Sequence, residues 1–251
     1  MILCIDCGNT FIKVGIYDKE LISSFSIDTN QNRSSFQYKA LFSSMINESF
    51  KITGAIISSV VPSLNEVLSS AIGNLFSIKP LFISKEIKTK LPIKIDNPSE
   101  LGSDLLCGAV GAKKKYGYPL MVADLGTASK IYVLNKDGAY IGGIITSGMK
   151  ISLKALVKNT SLLMEVPLET PKKIVGKNTT DSIQSGIVYG QAYMISEFAR
   201  RIEKEIGYEV KRVLTGGFSS IVKDEVVCFN YEPTLVLDGL YEIYLMNVKR
   251  D

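Results

Sequence analysis

The chain has 251 residues, which suits one large domain or two of about 125 residues each. With 46% hydrophobic and 22% charged residues it can bury a sizeable core, and a formal charge of +4 with no basic block beyond Lys113-Lys114-Lys115 argues against nucleic acid as a partner. Histidine is absent, which excludes Ser-His-Asp hydrolysis, histidine-held metals and imidazole acid–base chemistry, and leaves proton transfer to a carboxylate, Lys, Tyr or Cys.

The chain opens directly on the apolar run Met1-Ile2-Leu3-Cys4-Ile5, without a basic leader or a small-residue cleavage site, so no export signal is expected. No apolar run approaches the roughly 18 residues that span a bilayer, and no membrane contact is expected. Cys4-Ile5-Asp6-Cys7 has the spacing of a redox or zinc pair. In a strand, however, residues three apart point to opposite faces, and no second pair completes a metal site. Cys4, Cys7, Cys107 and Cys228 are therefore read as buried, reduced cysteines of a cytoplasmic protein.

Short β-branched runs alternate with helical patterns along the chain, which predicts an α/β protein. Strands are predicted at Ile2–Ile5, Ile12–Tyr17, Ala55–Val61, Leu81–Ser84, Leu120–Ala123, Lys130–Leu134, Tyr140–Ile145 and Arg212–Leu214. Asn97-Pro98-Ser99-Glu100 carries a capping residue, a proline suited to the first helical position and a glutamate three residues on, and predicts a helix running to the basic cluster at Lys115. A longer helix is predicted over Ser182–Ile206, with Ile183, Ile187, Met194, Ile195, Phe198 and Ile202 on one stripe and Gly207 as its stop. The domain boundary is placed near Gly117-Tyr118-Pro119, giving halves 1–117 and 118–251.

One device occurs twice. The first run ends in Asp6-Cys7-Gly8-Asn9-Thr10, and Leu120–Ala123 leads into Asp124-Leu125-Gly126-Thr127-Ala128. Each is followed by another apolar run. A strand, Asp-x-Gly and a small hydroxyl residue make a loop that phosphate can approach closely, because glycine removes a side chain and main-chain N–H groups can point inward. The aspartate would repel phosphate directly, so its useful place is one shell out, on Mg²⁺ or its waters. A third element, Val213-Leu214-Thr215-Gly216-Gly217-Phe218, offers bare backbone on which a base or ribose can pack. A single Asp-x-Gly is usually only a turn. The order loop, loop, double glycine across two similar halves points instead to a nucleotide whose phosphates are clamped between them.

These pieces resemble the type III pantothenate kinases, members of the superfamily of acetate kinase, sugar kinases, heat-shock ATPases and actin. The resemblance also takes in Ser59-Val60-Val61-Pro62, Asp96-Asn97-Pro98 with Glu100 to Asp104, Gly142-Gly143, Ser147-Gly148, Gly176 to Thr179 and Gln184-Ser185-Gly186. It implies two ribonuclease-H-like domains with mixed sheets flanked by helices and ATP in the cleft between them. The implied reaction is transfer of the γ-phosphoryl group of ATP to the hydroxyl of pantothenate, the first step of coenzyme A synthesis, by a cytoplasmic homodimer using Mg²⁺ and K⁺ or NH₄⁺. By position, Asp6, Cys7, Gly8, Asn9, Thr10, Phe11, Ile12 and Lys13 would bind ATP, with Asp6 reaching Mg²⁺ through water, and Thr127 would also touch ATP. Asp124 matches the monovalent-cation ligand and Asp104 the catalytic base. Gly102, Ser103, Asp104 and Leu105 match the acceptor loop, and Thr179 a substrate-contacting threonine from across the dimer.

Three positions depart from that pattern. The residue after the catalytic aspartate is usually Arg and here is Leu105, Ile95 replaces a frequent Tyr, and Ser129-Lys130-Ile131-Tyr132 replaces Thr-Thr-Phe-Asp. Leu105 cannot supply the planar fork that bonds both oxygens of a carboxylate. Lys130 is a candidate replacement for that cation, or alternatively for the monovalent ion near Asp124. The expectations are a pantothenate kinase with an altered acceptor site, a kinase for another small hydroxyl compound, or a nucleotide-binding regulatory relative without the reaction.

Overall fold

The first apolar run is buried almost throughout, with Leu3, Cys4, Ile5 and Cys7 fully covered, and it forms the central strand of the first of two five-stranded sheets. The computed structural model describes residues 1–248. In chain order the elements are β1 (Ile2–Cys7), β2 (Phe11–Asp18), β3 (Glu20–Asp28), α1 (Ser35–Met45), β4 (Gly54–Ser59), α2 (Asn65–Phe76), β5 (Leu81–Phe82), α3 (Ser103–Tyr116), β6 (Leu120–Leu125) and β7 (Ala128–Leu134). They continue with β8 (Tyr140–Ser147), α4 (Met149–Lys158), α5 (Thr179–Ile206), β9 (Lys211–Thr215), α6 (Ser219–Val222), β10 (Asn230–Tyr231) and α7 (Leu235–Asn247).

The chain forms two units. One comprises Met1–Leu91, Asp96–Lys115 and the chain from Leu235 onward, and the other Pro92–Ile95 and Tyr116–Thr234. The first sheet runs β3-β2-β1-β4-β5 and the second β8-β7-β6-β9-β10. In both, the first three strands in sequence are antiparallel neighbours, and the last two join the central strand's other edge in parallel. The repeat seen in the sequence is thus a repeat of topology, α/β in each half, and its two Asp-x-Gly loops fall at the same hairpin.

The first core lies between this sheet and α1 and α2, where Leu3, Ile5, Ile12, Val14, Tyr38, Phe42, Leu68 and Ile72 are buried. In the second unit the predicted stripe of α5 is core: Ile183, Ile187, Met194, Ile195, Phe198 and Ile202 pack with residues of β6, β7, α4 and β9. The helix starts one turn before the predicted Ser182, because the Asn178 side chain accepts the Asp181 N–H at 2.8 Å. Gly207 ends it in the left-handed conformation, φ 79°. Midway along α5, Gly190 is exposed and a methyl group there would meet nothing within 4 Å. Gly190→Ala is expected to raise stability by about 1 kcal/mol, read from the urea midpoint, since a helical glycine costs about that much relative to alanine.

Two expectations are corrected. The helix predicted from Asn97 to Lys115 is two pieces: Asn97 caps only a 3₁₀ turn at Pro98–Glu100, accepting from Ser99 N–H at 3.2 Å, Leu101 is extended, and α3 begins at Ser103. Cys228 is exposed, whereas Cys4, Cys7 and Cys107 are buried. The sequence reading also lacks β3, β10, α1, α2, α4, α6 and α7. Among the described residues no helix is long and apolar enough to cross a membrane.

Candidate active site

In the first unit, β1 carries Asp6 to the mouth of the hairpin, with Lys13 opposite it on β2 and Ser58 beside it on β4. Gly8 N–H donates to the Phe11 carbonyl at 3.0 Å and closes the loop. The chain leaving β3 braces it: Thr29 donates its hydroxyl to the Gly8 carbonyl at 2.6 Å and its N–H to the Thr10 carbonyl at 3.0 Å. Asn9 and Phe11 are exposed, and Gly8 and Thr10 are half-buried. Cys7 and Ile12 are fully buried in the core, so anything they offer a ligand is main chain.

The start of α3 is tied to the same sheet. Ser58 donates to the Ser103 hydroxyl at 3.0 Å, and Ser103 donates to the Ser59 carbonyl at 3.3 Å. Asp104, next in line, is half-buried and accepts the Leu105 N–H at 2.9 Å. Its carboxylate folds back over Gly102, where a Cβ would fall 2.7 Å from Oδ1, so the glycine makes room for it. Burial raises the Cys107 thiol well above its ordinary range, and the charges of Asp6 and Asp104 both push it further. The link between the loop aspartate and the helix aspartate is geometric: Ser58 is the β4 partner of Asp6 and bonds Ser103, which precedes Asp104. Cys7 is pushed up to about 11 by burial, against a hydrogen bond from Ser59 and with help from Asp6. Such thiols stay protonated at neutral pH and are inert.

In the second unit Asp124 is only 8% exposed and has Lys130 opposite on β7 and Thr215 beside it on β9. Lys130 Nζ lies 3.9 Å from Asp124 Oδ2. The double-glycine turn packs directly on this hairpin. Gly216 has φ 101°, and a Cβ there would come within 2.5 Å of Asp124 Oδ1 and of the Leu125 carbonyl. Phe218 N–H donates to that carbonyl at 2.9 Å. Gly126 N–H donates to Ala128 at 3.2 Å, Gly148 N–H holds the Thr127 carbonyl at 3.2 Å, and the Thr127 side chain is exposed. Thr179 lies elsewhere in this unit, exposed at the start of α5, on a cavity of about 550 Å³ lined also by Leu156, Leu163, Lys177 and Ile187.

A family model described as type III pantothenate kinase matches residues 2–201. The chain is 36% identical to the type III pantothenate kinase of Myxococcus xanthus (strain DK1622), over 98% of this chain and 99% of that one. The chain belongs to the type III pantothenate kinase family. A second type III pantothenate kinase, from Agathobacter rectalis, is also 36% identical, over 97% of this chain and 96% of its own length. In three dimensions the chain is similar to component A of (R)-2-hydroxyglutaryl-CoA dehydratase from Acidaminococcus fermentans, with a TM-score of 0.54 at 14% identity over 97% and 96% of the two chains. That likeness is one of fold, two ribonuclease-H-like halves as in the actin-like ATPases.

Within this type III pantothenate kinase relative, Gly102, Ser103, Asp104 and Leu105 form the turn into α3 and its first residues, in the same unit as Asp6–Lys13. Asp124, Thr127 and Thr179 belong to the other unit. Leu105 is half-buried and uncharged, and Ile95 is half-buried in the segment Pro92–Ile95 of the second unit. Ser58 and Thr29 escaped the sequence reading. No local pattern marks them, since their place comes from the long-range pairing of β4 and β3 with the loop strands.

Proposed function

We propose that the chain transfers the γ-phosphoryl group of ATP to the hydroxyl of pantothenate, the first step of coenzyme A synthesis. The observation that carries this reading is that Ser58, the β4 neighbour of Asp6, donates to Ser103, the residue just before Asp104, in a member of this family. Phosphoryl transfer is largely dissociative, so catalysis is mostly positioning and charge stabilisation. In the first unit Asn9 and Thr10 bring main-chain N–H groups and the Thr10 hydroxyl to the phosphates, and Lys13 adds a cation. Asp104 orients the acceptor hydroxyl and takes its proton late. Among the described residues no three His, Cys, Asp or Glu side chains group as a metal site. A lone loop carboxylate such as Asp6 suits Mg²⁺, which takes one or two carboxylates together with phosphate oxygens and water. When bound, the ion neutralises charge on the β- and γ-phosphates.

The acceptor's carboxylate has a weakened partner, because Leu105 stands where the family pattern has Arg. A hydrogen bond to a charged group is worth about 1.5–3 kcal/mol, or roughly ten- to more than hundredfold in affinity. Leu105→Arg is therefore expected to lower KM for pantothenate by at least about tenfold with little change in kcat. An unchanged or raised KM would remove this account of position 105. Leu105 equally favours a second reading, a kinase for another small hydroxyl compound, and a panel of acceptors scored by ADP release separates the two. Phosphate transfer to pantothenate by the purified chain with ATP and Mg²⁺, followed by mass spectrometry of the product, tests the main reading.

We assign the protein to the cytoplasm and to a homodimer. Ile151, Leu156, Leu162, Met164, Ile174 and Val175 are large apolar side chains exposed on the second unit. Leu156 shares with Thr179 the lining of one cavity, which suits a surface that a second copy covers while Thr179 serves the partner's acceptor. Sedimentation at micromolar concentration tests it.

A further inference from the structure

The position the family pattern gives to a potassium or ammonium ion does not fit such an ion in this chain. Asp124 and Lys130 are cross-strand partners in the β6–β7 ladder, so their side chains leave the same face of the sheet. Lys130 Nζ stands 3.9 Å from Asp124 Oδ2, with the two side chains 20% and 12% exposed. The carboxylate's other oxygen faces the Gly216 turn, where even a methyl group would collide. An inorganic cation on this carboxylate would sit beside an ammonium group and be repelled by it at short range in a partly dry site. A lysine ammonium carries the same single charge, is a compact point charge with three donors, and is tethered by its stem.

We propose that the ammonium group of Lys130 acts at Asp124 as a built-in monovalent cation, so that the chain binds its nucleotide without potassium. The topology supplies a reason for a lysine there: Lys130 faces Asp124 across one hairpin as Lys13 faces Asp6 across the other. The inference rests on the kinase reading, because a cation at Asp124 matters only if that loop serves nucleotide phosphates.

The test is calorimetric titration of a non-hydrolysable ATP analogue with Mg²⁺, in choline chloride and in potassium chloride at equal ionic strength, for the wild type and Lys130→Thr. The wild type is expected to bind with Kd values within about twofold in the two salts. Lys130→Thr is expected to bind at least about tenfold more weakly in choline than in potassium, and its melting temperature without nucleotide to be raised by potassium but not by choline. Wild-type binding that is tenfold or more tighter in potassium overturns the proposal, as does Lys130→Thr binding equally well in both salts. If Lys130→Thr does not fold, the wild-type comparison still decides, and Lys130→Arg, which keeps the charge, is expected to remain indifferent to the salt. A chain that binds no analogue in either salt overturns the kinase reading itself and this inference with it.

Discussion

Asp104→Asn is expected to lower kcat for phosphoryl transfer by about 10²–10⁴-fold, the usual contribution of a positioned acid or base, or about 3–5 kcal/mol of barrier. Asparagine keeps the shape of the side chain, and its amide oxygen can still accept the Leu105 N–H that Asp104 now takes at 2.9 Å. The α3 start is held independently by Ser103 against Ser58 and Ser59. The helix should therefore stay in place while the group proposed to accept the acceptor's proton is lost. Affinity for the ATP analogue is expected to change less than about threefold, because the nucleotide loop at Asp6 is untouched. Rapid-quench measurement of the first turnover, alongside calorimetric titration, checks both halves. A variant with undiminished kcat would remove Asp104 from the reaction. A variant that loses nucleotide binding as well would make Asp104 part of the nucleotide site.

Gly239→Val is expected to destabilise the first unit by about 3 kcal/mol or more, at the upper end of what overpacking usually costs. The helices α3 and α7 touch backbone to backbone at a glycine pair: a Cβ at Gly239 would collide with the Cys107 carbonyl, and one at Gly111 would lie 2.5 Å from the Leu235 carbonyl. Neither obstacle is the end of a flexible side chain, so relief requires that α7 move away. That motion would disturb buried Leu237, Leu240 and Ile243, the Tyr17 hydroxyl donating to Asp238 at 2.6 Å, and the stacking of Tyr17 on Tyr241 at 4.7 Å. It would also shift the turn of α3 that holds Cys107, one turn after Asp104, so kcat should fall together with the urea midpoint. An unchanged midpoint would show that α7 has slack at this crossing.

What could be read before the structure follows from how locally each feature is determined. The central hairpins were legible because β-branched runs end in Asp-x-Gly, and that chemistry is local. So was α5, whose stripe, cap and glycine stop all lie within its own span. The strand β3 was missed although Leu21, Ser23, Phe25 and Ile27 alternate with exposed residues, because Ser23 on the inward face and Ile22 on the outward face blur the apolar alternation. The helix α7 is apolar on nearly all sides, which erases the 3.6-residue period, and it is buried against β1 and β4. The capping signature at Asn97 was real but belonged to a 3₁₀ turn. Leu101 then leaves helical geometry so that Gly102 can pass under the Asp104 carboxylate. At the candidate site, the loop residues and Asp104 could be proposed from local motif and resemblance. The Lys130–Asp124 distance could not, since it depends on a three-residue turn setting the β6–β7 register.

The order of elements has a bearing on biosynthesis. The second unit, apart from Pro92–Ile95, is one uninterrupted stretch, whereas the first waits for α7, which follows that whole stretch. On the ribosome the later-encoded half can therefore complete its core first, while the earlier sheet keeps an uncovered apolar face until the closing helix emerges. A nascent chain paused after Thr234 should accordingly be a ready target for chaperones through its opening strands.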